Sequence, residues 1–133
     1  DVGNADPMAL TVAVSAAQAV ERVGMPEAQI ILSQAVLYVA TAPKSNSACN
    51  AIFAAMDSVK RTKTTVPVHL QDSHYKGSAK LGHGIGYQYA HDYPKHYAKQ
   101  QYLPDEIVEE VFYQASDNGY EKKIQEHMKW LKE

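Results

Sequence analysis

Residues 6–23 read DPMALTVAVSAAQAVERV, and their pattern predicts the fold class of the chain. Asp6 is suited to cap a helix, and Pro7 is favourable at the first helical position. The polar residues recur at the spacing of one narrow helical stripe, which consists of Thr11, Ser15, Gln18 and Arg22. Nearly all the others are Ala, Val or Leu, so the helix is apolar around most of its girth and needs cover on several sides. We therefore predict a helix over residues 6–23 that lies in a core or in an interface between subunits.

Two more helices are predicted in the first half of the chain. One begins near Pro26 and continues to about Ala40, before Pro43 ends it. The other is capped by Ser45 or Ser47 and ends near residue 61. Helices of this length and spacing are typical of a helical bundle or a stack of helix hairpins.

Periodicity disappears between residues 62 and 103. The segment is rich in tyrosine, histidine and glycine, and only Val66–Leu70 suggests a short extended piece, confined to a sheet edge by Pro67. A non-periodic stretch of this length inside a compact domain usually binds or wraps something. We predict an ordered irregular wrap.

The last thirty residues are predicted to return to helix. A short acidic helix begins at Pro104 and runs towards Val111, and Asn118 with Glu121 has the spacing of a capping box for a final helix. The predicted organisation is therefore one all-α domain over residues 1–133. It divides into a helical core (1–61), an irregular basic wrap (62–103) and C-terminal helices (104–133).

The net charge of −2 conceals a strong asymmetry. Residues 60–99 contain seven of the thirteen Lys and Arg residues and only two acids, together with five of the nine tyrosines. Lysines among tyrosines suit contacts to phosphates and stacking on bases, so we take four lysines as candidate DNA contacts: Lys76, Lys80, Lys95 and Lys99. The other interpretation is a solvated segment whose tyrosines pack onto the helices.

Composition excludes several protein classes. The single cysteine, Cys49, excludes an intramolecular disulfide framework and fits a reducing compartment. No apolar run is long enough to span a membrane, and there is no secretory leader, so we expect no membrane partner. Because the chain opens at Asp1 without methionine, we expect it to be part of a longer chain.

The motifs that suggest nucleotide binding, metal binding or catalysis lack the residues or the spacing that these functions require. GHGIG (residues 82–86) lacks the spacing of a dinucleotide fingerprint, and GSAKLG (77–82) is followed by His-Gly where a phosphate loop needs Lys-Ser/Thr. The histidines show no metal-ligand spacing, and this includes the His91-x4-His96 pair. No Ser, Cys or Lys has a base at a motif spacing. We expect no catalytic, cofactor-binding or metal-binding residue in this chain.

Several strings resemble one protein family. DVGNADP (residues 1–7) is similar to the opening of the C-terminal region of replication-associated recombination protein A, a bacterial AAA+ ATPase family related to the Werner helicase-interacting protein. Further signatures follow in the family's order: APKSN (42–46), GYQYAHDYP (86–94), QQYLP (100–104), FY (112–113) and GYE (119–121). The family often has proline where this chain has Ala90, which is a conservative departure.

The resemblance implies properties that the residues alone do not. In this family a clamp-loader-like ATPase module and lid precede the C-terminal region, and they carry the phosphate loop, the arginine finger and the sites for ATP and magnesium. The C-terminal region is helical, is related to the clamp-loader collar and assembles the protein as a homotetramer. The family acts on DNA at stalled replication forks with single-stranded DNA-binding protein as a partner. The implied location is the cytoplasm, at the nucleoid.

We therefore predict an oligomerisation domain of a DNA-dependent ATPase that also presents a basic surface to forked or single-stranded DNA. Ala13 and Ala17, small residues on the first helix, are the candidate interface residues. One alternative is a self-contained nucleic-acid-binding module that needs no ATPase partner. Another is a small histidine-dependent metalloenzyme.

Overall fold

The computed structural model describes residues 1–133 and contains four α-helices and no β-strand. The helices are α1 (Met8–Val23), α2 (Ala28–Thr41), α3 (Ser47–Arg61) and α4 (Glu121–Lys132). The all-α prediction is confirmed, and the three helices predicted in the first half agree with α1, α2 and α3 to within two residues at each end. The structure also confirms that residues 62–103 are irregular, since they contain only four short 3-10 turns.

The beginning and end of α1 follow from local chemistry. The Asp6 carboxylate accepts a hydrogen bond from the Met8 backbone N–H at 3.0 Å, as expected of a capping residue. After α1 the chain turns at Gly24, whose φ of +73° is costly for residues with a Cβ atom. The short connection returns the chain so that α2 packs against α1. The Tyr38 hydroxyl then donates to Asp6 at 2.8 Å and ties the end of α2 to the start of α1.

Two predicted elements were wrong. The extended piece over residues 66–70 is instead a 3-10 turn at Val68–Leu70, closed by the Leu70 N–H on the Pro67 carbonyl. The acidic helix ends after a single 3-10 turn at Asp105–Ile107. In a longer helix the acids of residues 105–110 would form like-charge pairs four residues apart, which are unfavourable.

The predicted capping box is also wrong. The helix α4 begins at Glu121, so Asn118 lies before its first turn, and the Asn118 amide donates to the Lys44 carbonyl oxygen at 3.0 Å. The Glu121 carboxylate does not return to the Asn118 backbone; it accepts hydroxyl hydrogen bonds, including one from Ser47 at the start of α3.

The chain divides into two compact units. The first comprises residues 1–53 and 112–129, and the second comprises residues 54–111 and 130–133. In the first unit the buried apolar side chains are small, and they are Val2, Ala5, Ala9, Ala16 and Ala28. The Tyr120 N–H donates to the Ala5 carbonyl oxygen at 2.8 Å and thereby attaches the start of α4 to the N-terminal segment.

Hydrogen bonds to the backbone and to carboxylates stabilise the second unit. The fully buried Ser58 hydroxyl donates to Glu110, which also pairs with Arg61 at 3.7 Å. His69 Nε2 lies 2.7 Å from the Gln101 carbonyl oxygen and joins two distant parts of the irregular segment. The buried apolar residues of the second unit are Ala98 and Ile107.

Replacing Gly119 with alanine is expected to destabilise the chain by about 2–3 kcal/mol. Gly119 has a φ of +52°, and a Cβ atom there would lie 2.2 Å from the Ala5 carbonyl oxygen. That oxygen cannot retreat without losing the hydrogen bond from Tyr120. Urea unfolding measures the loss. Gly24→Ala is the matched control, because Gly24 also has a positive φ but no atom within 4 Å of the added Cβ. An equal loss of unfolding free energy in the two variants would show that the close approach to Ala5 does not contribute to the destabilisation.

Candidate oligomer and DNA interfaces

The α1–α2 hairpin has no charged residue over most of its length. Asp, Glu, Lys, Arg and His are absent from residues 8–20 and from residues 28–41. Large apolar side chains are nevertheless exposed there, namely Leu10, Val14, Ile30, Leu32, Val36 and Leu37, and both Leu10 and Ile30 expose 74% of their area. We call these six residues, with Ala13 and Ala17, the hairpin surface. No helix of the structure has both the length and the hydrophobicity required to cross a bilayer.

The two predicted interface residues lie on one exposed side of α1. Ala13 and Ala17 are exposed, and on the helix they share a face with Leu10 and Val14. On the other side of α1, the two helices form a groove of about 350 Å³. It is lined by Met8, Thr11, Val12, Ser15, Ala16, Ala19, Ile31, Gln34 and Ala35. The hairpin therefore offers projecting leucine and isoleucine side chains on some of its sides and a groove with small residues on another, and side chains inserted between small residues are the elements of helix packing.

The structure separates the four candidate lysines into two pairs. Lys76 and Lys80 are exposed in a turn bounded by Gly77 and Gly82, both with positive φ. Lys95 and Lys99 lie at the end of α4, where they donate to the Trp130 and Lys132 carbonyl oxygens. Cations at this position bond the last carbonyls of the helix and oppose the negative end of its dipole. Lys95 also lies over the Trp130 ring, 4.7 Å from its centroid.

The acidic segment does not neutralise these lysines. The ion pairs of the structure join Arg61 to Asp57, Arg61 to Glu110 and His74 to Asp72, and none includes any of the four. Lys95 and Lys99 border a cavity of about 340 Å³ that is also lined by Gln88, Tyr93, Pro94, Tyr97, Leu131 and the acidic Glu133. Two tyrosines, an amide, two cations and one carboxylate therefore line one opening of ligand size.

A buried carboxylate, Glu121, was missed by the sequence analysis, which assigned it only to the capping box. Its side chain is 0% exposed. Ser47 and Tyr113 donate to Oε2 at 2.5 and 2.7 Å, and Ser116 donates to Oε1 at 2.9 Å. Burial acts to raise the pKa of Glu121, but hydrogen bonds from the surrounding hydroxyls, including Ser45, outweigh it and lower the pKa to about 2. We call this group the Glu121 cluster.

The Glu121 cluster joins separate parts of the first unit. Burial, together with the hydrogen bond to Glu121, raises the pKa of Tyr113, so its hydroxyl stays protonated and remains a donor. Through the same carboxylate, the start of α3 at Ser47 is bonded to the start of α4. Both helix N-termini favour a negative charge at this point. The arrangement is structural, since the carboxylate has no opening to a substrate.

The histidines form separate pairs and not a metal-ligand cluster. No group of three or more His, Cys, Asp or Glu side chains is arranged to hold a metal ion. The Tyr75 hydroxyl is hydrogen-bonded to His83, and His91 Nδ1 lies 3.3 Å from His96 Nδ1.

Comparison with known proteins agrees with the resemblance seen in the sequence. Residues 1–132 match the family described as MgsA AAA+ ATPase C terminal. The chain is 50% identical over 125 residues to an uncharacterized AAA domain-containing protein of Mycobacterium tuberculosis, covering 93% of this chain and 28% of that protein. It is 42% identical over 135 residues to replication-associated recombination protein A of Escherichia coli, covering 100% of this chain and 30% of that protein.

A eukaryotic relative extends the comparison. The chain is 38% identical over 117 residues to the ATPase WRNIP1 of Dictyostelium discoideum, covering 86% of this chain and 13% of that protein. The chain thus spans less than a third of the length of each of these three relatives. The match over almost every residue nevertheless shows that the chain belongs to the MgsA AAA+ ATPase C-terminal family.

Proposed function

We propose that this domain holds the subunits of an AAA+ ATPase together as a homotetramer. The observation that carries the proposal is the hairpin surface, because an exposed apolar area free of charge is unfavourable in water and marks a site of protein association. A second copy is the occupant that fits best, since the same hairpin carries both the projecting side chains of the hairpin surface and, on another side of α1, a groove with small residues that can receive them. In a symmetric dimer each copy supplies both the projecting side chains and the groove. Two such dimers then pair to form the tetramer.

The rest of the protein's activity is part of the same proposal. The ATPase module, with its ATP and magnesium sites, belongs to a part of the protein that precedes Asp1, and this domain is not itself an enzyme. We place the protein in DNA replication and recombination, the processes in the name of its Escherichia coli relative, and at stalled forks, as the family resemblance implies. The proposed partner is single-stranded DNA-binding protein, and the proposed location is the nucleoid in the cytoplasm. We also propose that the domain is structurally related to the clamp-loader collar.

Removing the domain from the full-length protein tests the proposal. The truncated ATPase should be monomeric in light scattering after size-exclusion chromatography, and the complete protein should have four times the mass of one subunit. A truncated protein that remains tetrameric would assign assembly to another region.

DNA contact is the second proposed function of the domain. The four lysines that lack carboxylate partners and the cavity lined by Tyr93 and Tyr97 support it, because they offer phosphate contacts and aromatic faces in the same unit. In a tetramer, four weak copies act together through their effective concentration. The alternative, a self-contained nucleic-acid-binding module, differs in one respect: its DNA affinity would survive dissociation of the tetramer.

Alanine at all four lysines of the full-length protein is expected to abolish fork binding while the tetramer persists. The slope of log affinity against log salt should fall by about 0.7–0.9 for each phosphate contact removed. Lys95 and Lys99 also bond the end of α4, so the Lys76→Ala/Lys80→Ala double variant isolates the electrostatic effect. Its salt slope should change by half as much as that of the quadruple variant. Lys122→Ala/Lys129→Ala, two exposed lysines of α4, is the control. An unchanged slope in both test variants would refute DNA contact by this segment.

A further inference from the structure

The cavity of about 340 Å³ in the second unit, which we call the Tyr93–Tyr97 cavity, is lined by the kinds of group that contact nucleotides. Tyr93 and Tyr97 are its aromatic residues, and Gln88 is its amide. The ammonium groups of Lys95 and Lys99 border the same opening. The volume lies at the small end of the range of ligand sites, so the cavity suits one base with its phosphate rather than a longer segment of DNA.

The two lysines are held in place at the edge of the cavity. Each donates one N–H to a backbone carbonyl oxygen at the end of α4, Lys95 to that of Trp130 and Lys99 to that of Lys132. An ammonium group has three N–H donors, so two remain on each lysine for another acceptor. Both groups are therefore positioned before a phosphate binds, which reduces the entropy lost on binding.

The backbone between the two tyrosines is strained. Lys95 and His96 have φ values of +62° and +52°, and they are the only residues other than glycine with a positive φ. This left-handed conformation is unfavourable for residues with a Cβ atom, and such strain is concentrated at functional sites. The two left-handed residues turn the chain between Tyr93 and Tyr97, and both tyrosines line the same cavity.

The Tyr97 ring is a supported surface for stacking. It is half-buried, and the Tyr102 ring lies nearly parallel to it, with 24° between the ring planes and 6.5 Å between the centroids. The Tyr102 hydroxyl donates to the carbonyl oxygen of the buried Ala98 at 2.6 Å, which fixes the supporting ring. A base that enters the cavity can stack on tyrosine rings that are already ordered.

The charge of the cavity matches one phosphodiester. The Glu133 carboxylate also lines the cavity, so two ammonium groups and one carboxylate leave one net positive charge. A phosphate within a strand carries one negative charge, whereas the phosphate of a free mononucleotide carries nearly two and would be repelled more strongly by Glu133. A carboxylate can also accept a hydrogen bond from the amino group of cytosine. The charges therefore favour a nucleotide within a strand.

We propose that the Tyr93–Tyr97 cavity binds one unpaired nucleotide of a DNA strand, with its base on the tyrosine rings and its phosphate at Lys95 and Lys99. In a double helix both faces of each base are covered by neighbouring bases, so only an unpaired base can offer a face to a tyrosine. This assignment, which rests on the proposed DNA contact, narrows the ligand of the second unit to single-stranded DNA.

Fluorescence anisotropy of the full-length protein with a labelled deoxycytidine strand tests the proposal, with a blunt duplex of equal length as the comparison. Tyr93→Ala should weaken binding of the single strand by about fivefold or more and leave binding of the duplex unchanged. Tyr97→Phe retains the ring and should bind both as the wild type does. Tyr87→Ala, a change at an exposed tyrosine outside the cavity, is the control and should also bind as the wild type does.

A competition experiment separates a strand from a free nucleotide. Free deoxycytidine monophosphate, added to the same complex, should not displace the labelled strand. Displacement at a comparable concentration of nucleotide units would overturn the assignment to a strand.

Crosslinking locates the base without any variant. A strand that contains iododeoxycytidine, irradiated while bound to the wild-type protein, should crosslink to Tyr93 or Tyr97, which mass spectrometry of the peptides identifies. Crosslinks confined to residues outside the cavity, or unchanged single-strand affinity in Tyr93→Ala, would overturn the proposal. The proposed DNA contact would survive that result if the salt slope still falls in the Lys76→Ala/Lys80→Ala variant, so the two failures are distinguishable.

Discussion

Ala17→Glu is expected to dissociate the assembly into monomers. Ala17 is exposed in the centre of the charge-free face of α1, and in a tetramer its side chain would be buried against another apolar surface. A carboxylate buried there has no partner and costs several kcal/mol in each subunit, which is a large part of the energy of an ordinary interface. Light scattering coupled to size-exclusion chromatography should show the mass of one chain. Ala13→Glu, on the same face, should act alike.

Gln18→Glu is the matched control for this experiment. It places the same charge on the next residue of the same helix, about 100° around the axis and within the polar stripe of α1. The control variant should retain the mass of the wild type, and circular dichroism should show equal helix content in all the variants. If Gln18→Glu and Ala17→Glu have the same mass, the hairpin surface is not the interface.

The second large effect is expected at Glu121. Glu121→Ala should lower the free energy of unfolding by about 3–5 kcal/mol, because removing one partner of a buried charged network leaves the others unsatisfied. The hydroxyls of Ser47, Tyr113 and Ser116 would all lose their acceptor, and the starts of α3 and α4 would lose their common bond. Urea unfolding at one protein concentration measures the change, since assembly also contributes to apparent stability. Glu126→Ala, an exposed acid on the same helix, should change it by less than about 0.5 kcal/mol.

The Glu121 cluster also predicts the acid sensitivity of the domain. The pKa of Glu121 is about 2 in the folded chain and 4.5 as an ordinary glutamate, so the folded state favours the carboxylate by about 3 kcal/mol. This contribution is complete above pH 4.5 and disappears as the pH falls towards 2. Glu121→Ala should therefore show a flatter loss of stability over that range. Parallel curves for the wild type and the variant would show that the carboxylate is not stabilised by its neighbours.

The helices of the first half could be predicted because their signals are local. Proline, glycine and serine residues mark the boundaries of α1, α2 and α3, and apolar residues fill the sequence between those boundaries. The helix predicted from Pro104 towards Val111 was wrong because a distant contact decides the structure there. Its like charges disfavour a helix, and Glu110 bonds with Ser58, fifty-two residues earlier in the chain. Local spacing says nothing about a partner so far away.

The same limit applies to the functional residues. The spacing of Asn118 and Glu121 fits a capping box, but tertiary contacts with Lys44 and Ser47 redirect both side chains. The proximity of His91 and His96 depends on two left-handed residues that no propensity predicts. By contrast, the absence of charge from residues 8–20 and 28–41 is visible in the sequence, and it would have extended the candidate interface from α1 to both helices of the hairpin.

Sedimentation equilibrium of the unmodified 133-residue chain tests most directly whether the domain assembles through its own surface. We expect a particle of four times the 14.7 kDa chain mass at micromolar concentration, with dissociation on dilution. The hairpin surface would then be covered in solution by other copies of the chain. A chain that stays at 14.7 kDa up to high micromolar concentration would show that the domain does not assemble through its own surface.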